Sequence, residues 1–301
     1  MITGGKGKRT KMTLELLHKP SMAKLTSLGI GGTARALARV RDEAGLDELA
    51  RFIEKEGTGL IALGEGSNIL ADDGELNFAF VQIDRPDKSE AVISGQTVRA
   101  PADMRLPKLL AHLIHAGLGG MEGLAGIPGS IGGSVAMNAG SYGTDMAASV
   151  KRLKLWTPTK GLFWKNAADM EWGYRHFSPL TDEFTLVWEA EFELSRSTEN
   201  VVMEKIKETF SKKKASQPVL QKTAGCVFKN PEGHSAGKLL DDAGFKGKNL
   251  GNMSFSEMHA NFLINKGGGN GTDALELMSL AANAVAEKFG VTLMPEVIIL
   301  R

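Results

Sequence analysis

Three side chains in this 301-residue sequence are of types that bind an anion or deliver a proton, and each sits in a segment able to hold it still. Arg175 lies in Trp172-Gly173-Tyr174-Arg175-His176-Phe177, among apolar neighbours. A guanidinium there needs an anionic partner, because it cannot shed its charge. That partner could be a ligand or a structural carboxylate. Glu296 follows Pro295 and opens an apolar run to Leu300, which predicts a half-buried carboxylate at a strand end. Such burial would raise its pKa; an edge charge on a strand start is the plainer reading. Cys226, the single cysteine, stands between Gly225 and Val227-Phe228-Lys229-Asn230. A thiol of ordinary pKa, about 8.5, is protonated at neutral pH and can give its proton away. Burial would push that value up and Lys229 would pull it down. A lone cysteine can equally be inert packing.

Glycine is the compositional outlier, at 36 residues against a norm of about 7%. Gly64-Glu65-Gly66-Ser67-Asn68 follows a short apolar strand at Leu60 to Leu63. A Gly-x-Gly turn after a strand lets backbone N–H groups approach an anion, although a plain tight turn has the same look. It is no Rossmann fingerprint, since the third glycine is missing and no helix is legible after it. The second cluster runs from Gly123 to Gly143 and contains Gly126-Ile127-Pro128-Gly129-Ser130 and Gly132-Gly133-Ser134. Its density of glycine argues against a packed helix or strand. Its Ile127, Ile131, Val135 and Met137 demand burial, which argues against a flexible linker. A segment of this kind suits a diphosphate and a large planar ligand.

Ten lysines crowd Lys205 to Lys248 against four acidic residues. Lys205, Lys207 and Lys212 read as a solvated helix face, whereas Lys214 and Lys229 are placed for phosphates. His112 and His115 lie three apart on one helix, but no third ligand accompanies them, so no metal is expected.

The elements that must carry these residues follow from periodicity. Helices are predicted over Asp42 to Glu56, Arg105 to Ala116 with Gly117 as its stop, Asn200 to Lys214, Ala236 to Ala243, and Asp273 to Phe289 with Thr272 as N-cap. Strands are predicted at Phe78 to Ile83, in a hairpin across Ser94-Gly95-Gln96, on both sides of a Pro158–Gly161 turn, at Leu186 to Leu194 and at Glu296 to Leu300. Three units result: 1–85, 86–197 and 198–301. Lys and Arg number 36 against 35 Asp and Glu, too balanced for a general nucleic-acid binder. One cysteine excludes an intramolecular disulfide, and no apolar run approaches the ~20 residues of a membrane span. The basic segment Met1 to Lys11 lacks an apolar continuation and reads as an unstructured start, so a cytoplasmic protein is expected.

The string GLAGIPGSIGGSVAMNAGSYG resembles the signature of the UDP-N-acetylenolpyruvoylglucosamine reductase (MurB) family. Thr26-Ser27-Leu28-Gly29-Ile30-Gly31-Gly32, the Gly64 loop, Gly173-Tyr174-Arg175, Gln217-Pro218 with Ala224 to Pro231, His259 to Asn265 and Met294-Pro295-Glu296-Val297 resemble further family motifs, in order, over residues 20 to 301. The resemblance implies an α+β fold: a PCMH-type FAD-binding module of two subdomains and a C-terminal α/β substrate-binding domain. Only about ten residues separate Arg175 from the strand at Leu186, so the chain is similar to the subgroup without an extra tyrosine loop. FAD is then expected in the two glycine loops, without a covalent link since neither contains a histidine. NADPH is the expected co-substrate, UDP-N-acetylglucosamine enolpyruvate the substrate, and a monomer the expected state. By the same resemblance Arg175 holds the substrate carboxylate, Glu296 assists proton delivery, and Cys226 replaces the family's proton-donating serine. Tyr174, Lys214, Lys229, Asn230, His259 and Asn261 become substrate contacts. A related flavin oxidase of small alcohols and a non-catalytic nucleotide-sugar binder are the other readings.

Overall fold

Alternating and 3.6-residue apolar patterns resolve, among the described residues, into three large sheets of four or five strands, with a buried cluster between the first two. The computed structural model describes residues 13–57, 59–85 and 90–301; the segment Met1 to Lys11 lies outside them, as does the expected boundary after residue 85. The first sheet has the order Leu14–His18, Thr33–Val40, Glu75–Ile83, Leu60–Ala62. Its last three strands run parallel, and the helix Leu46–Glu56 makes the crossover that parallel pairing requires. A 3₁₀ turn, Glu43–Gly45, occupies the start of the predicted helix because the Asp42 carboxylate caps the Gly45 N–H at 3.0 Å.

The second sheet is antiparallel throughout, in the order Gly161–Asn166, Val150–Thr157, Leu186–Glu193, Thr97–Pro101, Val92–Ser94. Helix Leu106–Ala116 packs Leu106, Leu109, Leu110 and Leu113 onto it and ends at Gly117 in the left-handed region. The third sheet, Thr223–Cys226, Phe262–Asn265, Met253–Phe255, Asn249–Leu250, is covered by the helices Ala236–Asp242 and Gly271–Phe289. All its pairings are antiparallel, so the expected α/β domain is α+β in strict terms.

Three local expectations are corrected. The long C-terminal helix is capped by Asn270, whose side chain accepts the Asp273 N–H at 2.7 Å, and not by Thr272, which is already inside it. The glycine-dense stretch does contain a helix, Ile131–Ala136, short enough to tolerate Gly132 and Gly133. The last strand is Ile298–Leu300, and it leaves the C-terminal sheet to pair in parallel with Ile69–Ala71 just beyond the first glycine loop. Leu28, Ile30 and Leu70 in turn join the C-terminal core. The C-terminal domain therefore closes on the first subdomain at both ends of the chain's path.

Candidate active site

The two glycine loops meet. A Cβ on Gly64 would come within 2.8 Å of Ser130 Oγ and 3.5 Å of Gly133 Cα, so the loops approach closely because neither carries a side chain there. Ser67 Oγ reaches the Pro128 carbonyl at 3.4 Å, and a Cβ on Gly129 (φ +120°) would meet only Ser67 Oγ, at 3.0 Å. Ser130 caps the helix Ile131–Ala136 through the Gly133 N–H at 3.3 Å. Beside this seam lies a cleft of about 590 Å³ between the first two sheets, lined by Leu63, Gly64, Ser130, Gly133, Arg105 and Val187 among others. Glycine backbone on one side, apolar strand ends on the other and a rim that includes Arg105 and Lys108 suit a long ligand with a diphosphate centre. A flavin dinucleotide fits that donor set, since Gly64, Ser130 and Gly133 line the cleft itself and present main-chain and hydroxyl groups to it.

Other glycines in these loops serve packing. A Cβ on Gly66 would run into the Leu25 carbonyl, and the Gly66 carbonyl accepts the Ser27 N–H at 3.1 Å. Gly132 lies against Ala102, with 3.0 Å for an added Cβ, and donates its N–H to the Ala102 carbonyl at 2.8 Å. Glu65 is held by Arg105 at 2.8 Å, Ser134 is buried, and Gly126 (φ +81°) and Ile127 face the helix Glu199–Ser216.

Arg175, Glu296 and Cys226 come together beside the first glycine loop, from parts of the chain far apart in sequence. The hairpin Glu171–Gly173/His176–Ser178 has Tyr174 and Arg175 as its two-residue turn, with Arg175 at φ +52°. A non-glycine residue in that region is uncommon and is retained where the surroundings dictate it. Here they do: Arg175 donates through Nε to Glu296 Oε1 at 2.6 Å and through an Nη to the Gly140 carbonyl at 2.8 Å. The Tyr174 ring lies 5.1 Å from the guanidinium carbon and is otherwise exposed. Glu296 precedes its strand instead of opening it. Its N–H donates to the Val227 carbonyl at 2.8 Å, and its own carbonyl accepts the Asn68 side-chain amide at 3.1 Å. Asn68 thus ties the first glycine loop to the main chain of Glu296.

Cys226 ends the strand Thr223–Cys226, after Gly225 at φ +82° and a register shift against Phe262 that re-aims it. Burial first, and then the Glu296 carboxylate, push its thiol up to about 12, with Arg175 opposing in part. Lys229, expected to lower it, is not among the charges that act on it. The thiol is therefore a held proton and a poor nucleophile.

The expected substrate contacts divide. His259 is half-buried, edge-on to Phe262, and Gly237 lies so close that a Cβ would reach its ring at 2.8 Å. Burial, aided by Lys246, holds its imidazolium below the usual range, so it is neutral at pH 7. Lys229 is half-buried, anchored by its N–H to the Met294 carbonyl at 2.8 Å. Asn230 and Asn261 are committed within the fold. Asn230 Oδ1 accepts the Ala236 N–H at 3.0 Å, at the start of a helix. Asn261, 2% exposed, clamps both polar groups of Phe228, at 3.0 and 2.8 Å, and so positions the Cys226 segment from behind. Lys214 is exposed, in a second cleft of about 550 Å³ with Gln217, Pro218, Met258 and Lys266. His112 and His115 point to different carboxylates, Glu90 and Glu199.

One residue of this region escaped the sequence reading. Lys213 is 2% exposed, with its ammonium toward the Gly123 carbonyl and the Tyr142 ring. The signal was present: Val202, Ile206 and Phe210 continue at helical spacing to position 213. Its place in the run Lys212-Lys213-Lys214 hid it.

Comparison with known proteins shows the family. Residues 217–300 match the model of the UDP-N-acetylenolpyruvoylglucosamine reductase C-terminal domain, and residues 34–164 match an FAD binding domain. The chain is 44% identical over 292 residues to the UDP-N-acetylenolpyruvoylglucosamine reductase of Nitratidesulfovibrio vulgaris, covering 95% of this chain and 99% of that one. It is 42% identical to the enzyme of that name from Oleidesulfovibrio alaskensis, over 91% and 94% of the two chains. The crystal structure of the reductase (MurB) from Thermus caldophilus superposes with a TM-score of 0.81 at 28% identity, over 96% of this chain and 99% of that one. The fold is thus a PCMH-type FAD-binding module joined to the reductase C-terminal domain, and the chain belongs to the UDP-N-acetylenolpyruvoylglucosamine reductase family.

Proposed function

We propose that this protein reduces UDP-N-acetylglucosamine enolpyruvate to UDP-N-acetylmuramate in peptidoglycan precursor synthesis, with NADPH as reductant and FAD held without a covalent bond. The observation that carries the reading is the contact of Arg175 with Glu296 beside the protonated Cys226 thiol, joined through Asn68 to the glycine loops. Gly64, Gly129, Ser130 and Gly133 would hold the cofactor's diphosphate, with Ser67 at its edge and the Asn68 side chain turned away to Glu296. The flavin, when bound, supplies hydride transfer from the nicotinamide to C3 of the enolpyruvyl group. Negative charge then develops on the carboxylate side of C2. Arg175, fixed at both ends, offers its remaining N–H groups to that carboxylate and stabilises the charge without having to reorganise. The Cys226 thiol donates its proton to C2, and Glu296 keeps both partners in register. His259, Lys229 and Lys214 serve the sugar nucleotide in this reading, with Tyr174 at the pocket mouth.

We further propose a cytoplasmic monomer. The nucleotide substrates are cytoplasmic metabolites, and among the described residues no helix is long and apolar enough to cross a membrane. The test is a flavin spectrum of the purified protein. NADPH should bleach it anaerobically, and the enolpyruvyl sugar nucleotide should restore it. Colourless protein, or bleaching that a small alcohol or oxygen reverses and this substrate does not, would overturn the reading.

A further inference from the structure

The charges around Arg175 do not yet allow for a second carboxylate. Arg175 and Glu296 neutralise each other at 2.6 Å, with side chains only 21% and 12% exposed. A substrate carboxylate arriving at Arg175 would leave two negative charges on one guanidinium in a half-buried pocket, which is costly unless another cation is at hand. We propose that Lys213 is that cation: it, and not Arg175 alone, balances the carboxylate of the incoming substrate. The inference rests on the functional reading above.

Lys213 is unusual for a buried lysine. An ammonium has three donors, and this one finds a single distant acceptor, the Gly123 carbonyl at 3.5 Å, with the Tyr142 ring 5.8 Å away. Among the described residues no carboxylate pairs with it. The neighbouring charges are engaged elsewhere. Glu122 accepts the Gly120 N–H at 2.7 Å and lies 3.9 Å from Lys205, while Lys212 pairs with Glu208 on the outer face of the helix. The charge that faces Lys213 is the like charge of Arg175. Both cations meet the same short segment, Arg175 through the Gly140 carbonyl and Lys213 against the Tyr142 ring and the Gly123 carbonyl that Ser141 also uses, so a fully buried lysine without a carboxylate flanks an arginine whose single carboxylate partner is Glu296. Burial, and then Arg175, pull the Lys213 ammonium down to about 8, so its charge is easily lost while the pocket is empty. A bound carboxylate reverses both effects.

The consequence is a proton taken up with the substrate. Below pH 7 Lys213 is already charged and binding should take up none. At pH 9 the free ammonium is mostly neutral, and binding should take up nearly one proton per site. Cys226, pushed up to about 12, does not change state in this range, and His259, held below its usual value, has already lost its proton. Calorimetry of the oxidised holoenzyme with UDP-N-acetylglucosamine enolpyruvate, without NADPH, in two buffers of different ionisation enthalpy, reads the uptake directly. Lys213→Arg should bind with near wild-type affinity and take up no proton at either pH. Lys213→Met should bind roughly tenfold more weakly at pH 6.5 and equally weakly at pH 9. Should Lys213→Met fail to fold, Lys213→Arg decides the matter. Wild-type binding at pH 9 without proton uptake, or uptake that persists in Lys213→Arg, overturns the inference while leaving the functional reading intact. No binding at any pH overturns both.

Discussion

Asn68 and Glu296, 228 positions apart in sequence, are joined by a hydrogen bond of 3.1 Å from the side-chain amide of one to the main-chain carbonyl of the other. The bond fastens the acidic residue of the site to the loop that faces the cofactor cleft. Glu296 is held from the opposite direction by its N–H on the Val227 carbonyl. Asn68→Ala removes one of these two ties. Loss of one hydrogen bond should cost about 1 kcal/mol, a fall in Tm of about 2 °C in a chain of this size. FAD content and flavin reduction by NADPH should stay near wild type while reoxidation by substrate slows about tenfold. Equal slowing of both half-reactions, or loss of FAD, would assign Asn68 to the cofactor instead.

In the proposed reaction the donor is the protonated Cys226 thiol, and burial, which pushes it up to about 12, keeps it protonated throughout the range in which the enzyme can be assayed. No alkaline limb from this group should appear below about pH 10, where an unperturbed thiol would give one near 8.5. The sign for stability is the same: a raised folded pKa favours folding below the unfolded value and ceases to do so as pH rises toward 12. A limb near pH 8 in kcat/KM is the one expected of Lys213, whose ammonium burial pulls down to about 8. It should survive Cys226→Ser and vanish in Lys213→Arg. Iodoacetamide should react with the native protein far more slowly than with a free thiol, and Cys226→Ala should accept hydride from NADPH yet stall with its flavin reduced. Near wild-type turnover by Cys226→Ala would move the acid to Glu296.

In the proposed reaction Arg175 acts where charge develops after hydride arrives. Arg175→Ala should leave flavin reduction nearly unchanged and slow reoxidation by about 10²- to 10³-fold. Arg175→Lys should recover little, because an ammonium cannot reach Glu296, the Gly140 carbonyl and a substrate carboxylate in one plane. A comparable loss in both half-reactions would make the arginine structural.

Gly129 and Gly132 separate binding from folding. Gly132→Val would press on Ala102, 3.0 Å from the first added carbon, and should lower Tm and soluble yield together with flavin content. Gly129→Ala meets only the Ser67 hydroxyl, but its φ of +120° strains any L side chain, by about 1–3 kcal/mol. It should fold, by circular dichroism, and bind FAD more weakly. Stoichiometric FAD in Gly129→Ala at wild-type affinity would remove that segment from the cradle.

Much of this was legible in the residues. Arg175, Cys226 and Glu296 were each conspicuous as a chemically capable residue in an apolar setting, and long amphipathic stretches such as Leu106–Ala116 announced their helices. What was not legible depends on side-chain direction. Asn261 sits between two other polar residues, His259 and Asn265, and only the fold spends its amide on Phe228. Lys213 and Lys214 differ by one position, or 100° around a helix, and that rotation decides which is buried. Gly66 and Gly132 look like phosphate-loop glycines, yet the backbone they admit is that of Leu25 and Ala102. Thr272 and Asn270 are both good caps, and the choice followed Asp73, which takes the N–H groups of Gly271 and Thr272.

The parallel pairing of Ile298–Leu300 with Ile69–Ala71 has a consequence for synthesis. A ribosome delivers residue 69 long before residue 298, so the strand beside the first glycine loop must wait, its partner still unmade, while nearly all the rest of the chain emerges. Leu28, Ile30 and Leu70 wait with it, since the apolar cluster they enter is built from later residues. The N-terminal unit therefore leaves the exit tunnel with one sheet formed and one edge raw, a state that calls for chaperone cover or speed. The strand that follows the first glycine loop is thus completed by the same late segment that carries Glu296.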